Sequence, residues 1–446
     1  MAIQTLNSSE VSNAQVAELS KVYELFQNKT DFWSWTTKMP SDQINALGIK
    51  VPIEITPNPS FAYGTGNNDA FATAQASNFD NFTVTYAYVN AGTIETYAGF
   101  LNRNANTSED MVRYQEASSA RQFASFLNRY ASRGNGTAGL ATTNHAYDAG
   151  NPTLVTCDAA TDSIGCSQLV VGAYYTFWDA TGTTQRTGTV GAGEIQLVSK
   201  TGTVATFASN VPSTLADTDI IVPQLGGSTD ASTAIVGLPY IDNSTGTYFG
   251  KTRTSAGYTG LASFNKSSSS ITAGVLSETY WSIVQRGGWF TGDGTTNLEQ
   301  ALWMVLNTGN MQSYYSLSLN SGAVVSSPNF FMHGADSPKN DIGMASFQST
   351  WFGAPMKVGN DIRGDEIYFL GKDSLRRAIL KDVGDVSAGF PASDYLQNID
   401  GSGNFLTARI KIKDFLGQLY CPQPFKIGKI SGLTLVAPLQ KTVMVA

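Results

Sequence analysis

The sequence predicts an α+β fold with many strands, and three features carry that expectation. A helical pattern runs from about Glu109 to Ser132. Two alternating apolar runs, around Val51 and around Phe82, have the form of hairpin arms. Short apolar runs separated by glycine turns fill much of the chain from Ser167 onward. No internal repeat of fixed period is present.

The helical pattern carries its own signals. Thr107 and Asp110 stand as a capping box at its start and Gly134 is a natural stop, while Val112, Ala120, Phe123, Leu127 and Tyr130 mark the face to be buried. At ~1.5 Å per residue it would form a beam about 35 Å long. An earlier stripe of Val11, Leu19, Val22, Tyr23 and Phe26, after the polar Ser8-Ser9-Glu10, predicts a shorter helix ending near Asn28. Phe32-Trp33-Ser34-Trp35 follows. Three large aromatics in four residues are too many for a short arm to hide, so they are expected to anchor it to another domain or another subunit.

Val51, Ile53 and Ile55 alternate with polar residues, as do Phe82, Val84, Tyr86 and Tyr88. The intervening tip, Pro57 to Asp80, is rich in Asn, Ala and Gly. A structureless stretch of about 25 residues is unusual inside a compact domain, and points to a hairpin that projects from the body. Further on, Ala173–Trp178, Glu194–Val198, Val204–Phe207 and Asp219–Val222 predict a small β unit. A helix over Ala273–Arg286 is expected to stop at Gly287-Gly288. Strands return at Leu302–Leu306, Trp351–Val358, Glu366–Leu370, Phe405–Lys413 and from Leu419 on.

Composition narrows the function classes. The 446 residues suffice for two to three domains or one large elaborated one, and 42% are apolar. Charged residues are 14% against a usual ~25%, and the net charge is −7. These values exclude charge-driven disorder and a basic nucleic-acid binder. A weakly charged exterior with 19 Tyr, 23 Phe and 7 Trp suits a protein that covers much of itself with neighbours. No apolar run approaches the ~18 residues of a membrane span. The first residues lack the basic and apolar regions of a secretory signal. Cys157, Cys166 and Cys421 match no zinc spacing and are expected as reduced thiols of an intracellular product.

No catalytic, cofactor or metal motif survives inspection. Thr245-Gly246-Thr-Tyr-Phe-Gly250-Lys251-Thr252 ends like a phosphate-binding loop, but its first glycine stands one residue too close to the second. Gly188, Gly191 and Gly193 have the spacing of turns rather than of a dinucleotide loop. His145 and His333 lack supporting motifs. Asp217 with Asp219 reads as a turn, and Glu109 with Asp110 as a helix start. The basic residues Arg376, Arg377, Lys372 and Lys381 lie among Asp365, Glu366, Asp373 and Asp382. Arg409, Lys411, Lys413, Lys426, Lys429 and Lys441 face Asp414 alone over the chain end. Both clusters read as a solvated or inter-subunit salt-bridged face, with weak contact to phosphates as the second reading.

The order of these elements resembles the major capsid proteins of tailed bacteriophages, with the Hong Kong 97-type fold. Gly237-Leu-Pro-Tyr-Ile-Asp-Asn-Ser-Thr-Gly-Thr-Tyr-Phe-Gly250-Lys-Thr-Arg253 is similar to a Gly-Leu…Gly-Thr-Tyr-x-Gly-x-x-Arg segment of that family. Phe352–Val358, Gly364–Leu370 and Leu375–Arg377 are similar to its late strands, and Leu419–Leu433 to its closing strand. The resemblance covers nearly the whole chain through degenerate motifs kept in order.

The resemblance implies an N-terminal arm over 1–48, an extended E-loop hairpin over 49–98 and a P-domain with spine helix over 99–166. It implies a β-rich insertion over 167–227, an A-domain with connecting strands over 228–400 and C-terminal P-domain strands over 401–446. It further implies a structural protein rather than an enzyme, without cofactors. Its copies would form hexamers and pentamers of an icosahedral head around double-stranded DNA, assembled in the host cytoplasm. Further partners would be a separate scaffold, a portal and decoration proteins, with weak DNA contact and no membrane. Phe32, Trp33, Trp35, Tyr63, Arg376 and Arg377 are the candidate assembly-interface residues. Some family members cross-link their shells through a hairpin lysine. Here no lysine stands between Lys50 and Lys200, so no such cross-link is expected. Two other readings stay open on the residues: a β-rich fibre or adhesin-like binding module, and a glycan-cleaving enzyme with two placed carboxylates.

Overall fold

The computed structural model describes residues 31–40, 48–58, 60, 73, 76–96, 106–158, 165–188, 193–224, 231–232, 234–287, 302–320, 350–351, 354–359, 361–371, 374–385, 396–399 and 405–434. The predicted helix over Val11–Phe26, the hairpin-tip Tyr63 and His333 lie outside the described residues.

The long helix spans Asn106–Arg133, 28 residues, about 42 Å at the usual rise. Phe123, Leu127, Tyr130 and Ala131 are its buried side, packed with Ile235, Ile379 and Phe415 in one cluster and Val236 in the next. At its end the Gly134 amide donates to the Tyr130 carbonyl at 2.6 Å. A Cβ on Gly134 would stand 2.5 Å from the Ile235 carbonyl oxygen, and one on Gly237 2.2 Å from that of Tyr130. Only glycines allow the returning chain to cross the helix end so closely. The Gly237 amide then donates to the Gly134 carbonyl at 2.8 Å, so the chain leaves and re-enters the body at one point. Adjacent ends of this kind are what a domain inserted into a host fold requires.

The inserted unit is a six-stranded antiparallel sheet ordered Ala141–Thr142, Ile220–Pro223, Tyr174–Trp178, Ile195–Thr201, Val204–Phe207, Leu154–Thr156. Its two outer strands meet through a bridge between Thr143 and Cys157. The Asn144 amide donates to Thr156 O at 2.9 Å and that of Asp158 to Thr142 O at 2.8 Å. The sheet is thereby a closed barrel, which leaves no free edge. Val155, Tyr175, Phe177, Leu197, Phe207 and Ile221 fill its interior, with Phe177 and Phe207 edge to face at 5.2 Å. The β unit therefore starts earlier than its predicted beginning at Ser167. Ala141–Thr142 and Leu154–Thr156 are two- and three-residue strands, too short to show a period of two.

Beside two two-stranded sheets, two larger ones are described in the body. One is mixed, ordered Phe264–Ser267, Gly428–Ser431, Glu366–Gly371, Leu302–Leu306, Ala354–Val358, Thr350–Trp351. The helix Ala273–Gly287 contributes Leu276, Tyr280, Ile283 and Val284 to the cluster that holds this sheet's Met304, Leu306, Ile367, Phe369 and Ile430. The other is built on the 16-residue strand Phe405–Tyr420. Along one edge it pairs with Arg376–Asp385 and with Leu396–Ile399. Along the other it pairs with Ala87–Thr96, from Gly417–Ala87 to Ala408–Thr96.

The hairpin arms are Ile49–Thr56 and Asn78–Val84, in register from Ile49–Val84 to Thr56–Asn78. Residues 87–96, expected to extend the hairpin, instead leave it to join the long strand. Long-range pairing decides their place, which alternation alone cannot show. The segment Leu375-Arg376-Arg377, expected as a short basic stretch, opens the strand Arg376–Asp385. A helix over Thr308–Asn320 was not legible either. Its Gly, Ser and Asn residues are poor helix formers, and the one usable signal is the Asn307 cap, whose Oδ1 accepts from the Asn310 amide at 2.8 Å.

Truncating Phe177 to Ala should cost about 3–5 kcal/mol, as for other large buried side chains. Hydrogen exchange should then rise across the barrel strands, 154–222, before it rises in the body. A loss below about 1 kcal/mol, with unchanged exchange, would contradict a packed barrel interior.

Candidate assembly site

Five of the six predicted interface residues converge at one junction. The helix Asp31–Trp35 lies against the long helix, and Thr37–Lys38 pairs in parallel with Arg376-Arg377. The Thr37 and Met39 amides donate to Leu375 O and Arg377 O at 3.0 and 2.9 Å. Phe32 is 1% exposed within its own chain. Trp33 is half-buried, edge-to-face on Phe415 at 5.7 Å, with the Arg377 guanidinium 5.3 Å from its ring. Trp35 packs on Phe32 at 6.0 Å under Lys357 Nζ at 4.9 Å. Burial lowers the pKa values of Arg377 and Lys357, and the rings take the place of water around both cations. The Trp33 amide donates to Asn128 Oδ1 at 2.8 Å, and Asn128 Nδ2 to Asp361 Oδ2 at 2.7 Å. The aromatics thus fasten the arm to the body of their own subunit, and Phe32 has no surface to offer a neighbour.

Two lysines of the basic clusters, Lys381 and Lys429, and Lys38 of the arm are likewise paired inside the chain. Lys381 meets Asp414 at 2.5 Å, Lys38 meets Asp382 at 3.0 Å, and Lys429 meets Glu366 at 2.7 Å. The reading of these charges as a solvated or inter-subunit face fails at Lys429, which is 6% exposed. Burial works against the Glu366 carboxylate, but Lys429 and Arg363 outweigh it and hold its pKa below the usual range.

A second anchor holds the hairpin. The Gly-Lys-Thr stretch is a tight two-strand turn, Thr247–Tyr248 against Lys251–Thr252, with Phe249 and Gly250 at φ 42° and 85°. Positive φ at both central positions is the geometry of a type I′ hairpin. A bulky residue rarely accepts that backbone. Here the Phe249 ring stacks on Phe82 of the hairpin at 5.9 Å, and its amide donates to Tyr240 Oη at 2.8 Å. Lys251 Nζ reaches Asp80 Oδ2 of the hairpin at 2.5 Å, and the Tyr258 hydroxyl donates to the same oxygen. Lys251 first, then Tyr258, hold the Asp80 pKa down at about 2. The lysine that imitated a phosphate ligand is a hairpin latch.

Arg253, the last residue of the family-like segment, is 1% exposed. Its guanidinium donates to Ile241 O and Leu261 O at 3.1 Å and also to the carbonyls of Asn243 and Tyr240, with the Tyr248 ring 4.7 Å away. A buried cation ringed by carbonyls fixes the path of three loop segments at once. Tyr248 Oη donates to Cys421 O and accepts the Cys421 amide, both at 2.8 Å, which pins the end of the long strand. Beside it Asp242 is fully buried, next to the Ser263 hydroxyl. Burial raises its pKa to about 7 against the pull of Lys429, Ser263 and Arg253.

The remaining candidates have structural places. His145 Nε2 accepts the Thr156 amide at 3.0 Å across the barrel seam. Asp219 is 1% exposed and takes both arms of Arg186, at 2.8 and 2.7 Å. Among the described residues no group of His, Cys, Asp and Glu could hold a metal ion, and no helix is long and apolar enough to cross a membrane.

No family model matches this chain, and no curated protein does. Its fold is similar to that of the cyanophage A-1(L) capsid asymmetric unit, with a TM-score of 0.52 at 12% identity over 95% of this chain and 99% of that one. It is also similar, at lower scores, to the capsid of a native GTA particle (TM-score 0.43, 10% identity, 96% and 99% covered). The holo-SrpI encapsulin of Synechococcus elongatus PCC 7942 is a third (0.43, 9% identity, 97% of each chain). The chain has the α+β fold of a phage major capsid protein.

Two outcomes follow from the buried and latched carboxylates. A carboxyl depressed in the folded state stabilises above its unfolded value of ~3.9, and the contribution is lost as pH falls through about 2. Hairpin protection at 49–56 and 78–84, corrected for intrinsic exchange, should therefore drop between pH 4 and pH 2. In Asp80→Asn it should already be low at pH 7, and an unchanged hairpin would refute the latch. Asp242 has the opposite sign: its contribution is full below ~3.9 and is lost as pH rises through about 7. Asp242→Asn should therefore raise the melting temperature at pH 8 more than at pH 4. Equal shifts would show that its burial exacts no charge penalty.

Proposed function

We propose that the chain is a major capsid subunit of a tailed bacteriophage with the Hong Kong 97-type plan. Its copies form hexamers and pentamers that close into an icosahedral head around double-stranded DNA. The observation that carries this reading is the fold shared with a phage capsid chain over 95% of this chain and 99% of that one. Full-length likeness with little sequence identity is what a scaffold kept for its shape would leave.

The geometry supports a structural role. The arm and the hairpin base are each fastened to the body of their own subunit by aromatic, cation–π and ion-pair contacts. A stiff base lets a projecting element deliver its far end to a neighbour without first having to be ordered. Phe79 on the hairpin, 67% exposed, and Tyr88 at its root, 57% exposed, are apolar side chains that a neighbouring copy would cover. Trp33, Trp35, Arg376 and Arg377 act in this scheme as the arm's seat, and Tyr63 belongs to the element that would reach across. Many modest contacts repeated around closed rings sum to a very stable shell while each stays correctable during assembly.

A net charge of −7 keeps the packaged genome from adhering strongly to the wall. Assembly would occur in the host cytoplasm with a separate scaffold and a portal, decoration proteins adding to the finished virion. No catalytic step is assigned.

The chain should be expressed alone and with its neighbouring genes, then examined by sedimentation and negative-stain electron microscopy. Closed shells, tubes or capsomer rings are the expected outcome. A monodisperse monomer or a slender trimer under every condition would overturn the capsid reading and favour a fibre or adhesin-like module.

A further inference from the structure

Two of the three cysteines, expected as unconnected reduced thiols, are placed together by the barrel. Cys157 ends the seam strand and makes the bridge to Thr143 that closes the sheet. Cys166 lies on the 3₁₀ turn Gly165–Gln168, which covers the end of the hairpin Ile195–Thr201/Val204–Phe207. Both hang on one residue. The Cys157 amide donates to Thr203 O at 2.7 Å, and Cys166 Sγ lies 2.8 Å from the same oxygen. The two sulfurs are 2.8 Å apart, and neither is bonded to the other.

We propose that Cys157 and Cys166 are a redox-closable pair, joined by a disulfide on exposure to a low-molecular-weight disulfide and open under reducing conditions. The sulfurs need to approach by only about 0.8 Å to reach the bond length. The bond would tie the closing seam of the barrel to the turn that covers it. Lys200 lies on the neighbouring strand, its ammonium donating to Ser167 O at 2.9 Å and to Leu169 O. Its charge favours thiolate at both sulfurs. The adjacent Cys157 thiol holds the Cys166 pKa below its ordinary value, while Cys166 and burial push that of Cys157 up. Either sulfur of the pair can supply the attacking thiolate.

In the first step the thiolate of one cysteine attacks one sulfur of the small disulfide and expels the other half as thiolate. The other cysteine then loses its proton and attacks the sulfur of the first, expelling the second half. Two protein thiols are oxidised to one disulfide, one small disulfide is reduced to two thiols, and the protons pass to the leaving thiolates. Both cysteines are buried, so closure proceeds at the rate at which the barrel opens locally, and the finished bond is shielded from reductant in the same way. Cys421 is an internal control, fully buried in the body with its thiol pushed up to about 12 by burial.

The test uses the full chain, purified reduced and incubated with glutathione disulfide until its composition is constant. It is then quenched in acid, alkylated with N-ethylmaleimide in denaturant and mapped by mass spectrometry. Cys157 and Cys166 should leave the alkylated pool together and reappear linked, two hydrogens lighter, while Cys421 stays alkylated. The oxidised protein should melt several degrees higher than the reduced one, a gain absent in Cys166→Ser. Full alkylation of all three cysteines after oxidation would overturn the proposal. So would separate glutathione adducts on Cys157 and Cys166, or a link that includes Cys421. The wild-type comparison decides the matter even if the variant fails to fold.

Discussion

Backbone pairing along Phe405–Tyr420 is the constraint on which the body depends. This strand accepts Arg376–Asp385 on one edge and Ala87–Thr96 on the other, and its Phe415 ring receives Trp33 of the arm. Through Arg376–Arg377 it also supports the short parallel strand Thr37–Lys38. Elements separated by more than three hundred positions thus meet on one segment near the chain's end. Such pairings carry a large loop-closure entropy cost, which gives the body the long-range contacts of a high-contact-order fold. The barrel is the contrary case. Its strands lie within one contiguous stretch and its ends meet at Gly134 and Gly237, so it can close on local contacts before the body does.

Much of the buried charge among the described residues is held in pairs or rings. In the body Arg253 is surrounded by carbonyls and Glu366 and Lys429 neutralise one another, and in the barrel Asp219 takes a two-pronged contact from Arg186. At Asp242 burial outweighs the neighbouring Lys429, Ser263 and Arg253 and raises the carboxyl pKa to about 7. These arrangements trade little stability for a defined geometry. In the shell proposed for this chain that trade would be useful, because a small error in the direction of an arm would be multiplied at each neighbour.

The sequence made the local elements legible and left the long-range ones open. The beam Asn106–Arg133 announced itself through the stripe ending at Tyr130, although it begins before Thr107, which lies inside the helix and is not its cap. The hairpin announced itself through the alternation of Val51, Ile53, Phe82 and Val84. Strands of two or three residues, such as Ala141–Thr142, carry no period. The closure of the barrel therefore could not be read, nor could the meeting of Cys157 with Cys166. The aromatic trio and Arg376–Arg377 were singled out separately, and the structure brings them together as an anchor within one subunit. The meeting of Asp80, Lys251 and Tyr258 went unread because each is ordinary alone. Lys251 drew attention only as an imitation of a phosphate ligand, although its place beside the Phe249–Gly250 turn marks the spot where the hairpin docks.

A reconstruction of the assembled particle at side-chain resolution bears most directly on the link between these anchors and a shell. Trp33 should lie on Phe415, and Asp80 on Lys251, within one and the same chain, while the hairpin beyond the latch covers an adjacent copy. Density that seats the arm or the hairpin base on a neighbouring chain, or a particle in which the hairpin touches no neighbour, would contradict a stiff subunit joined by its projecting elements.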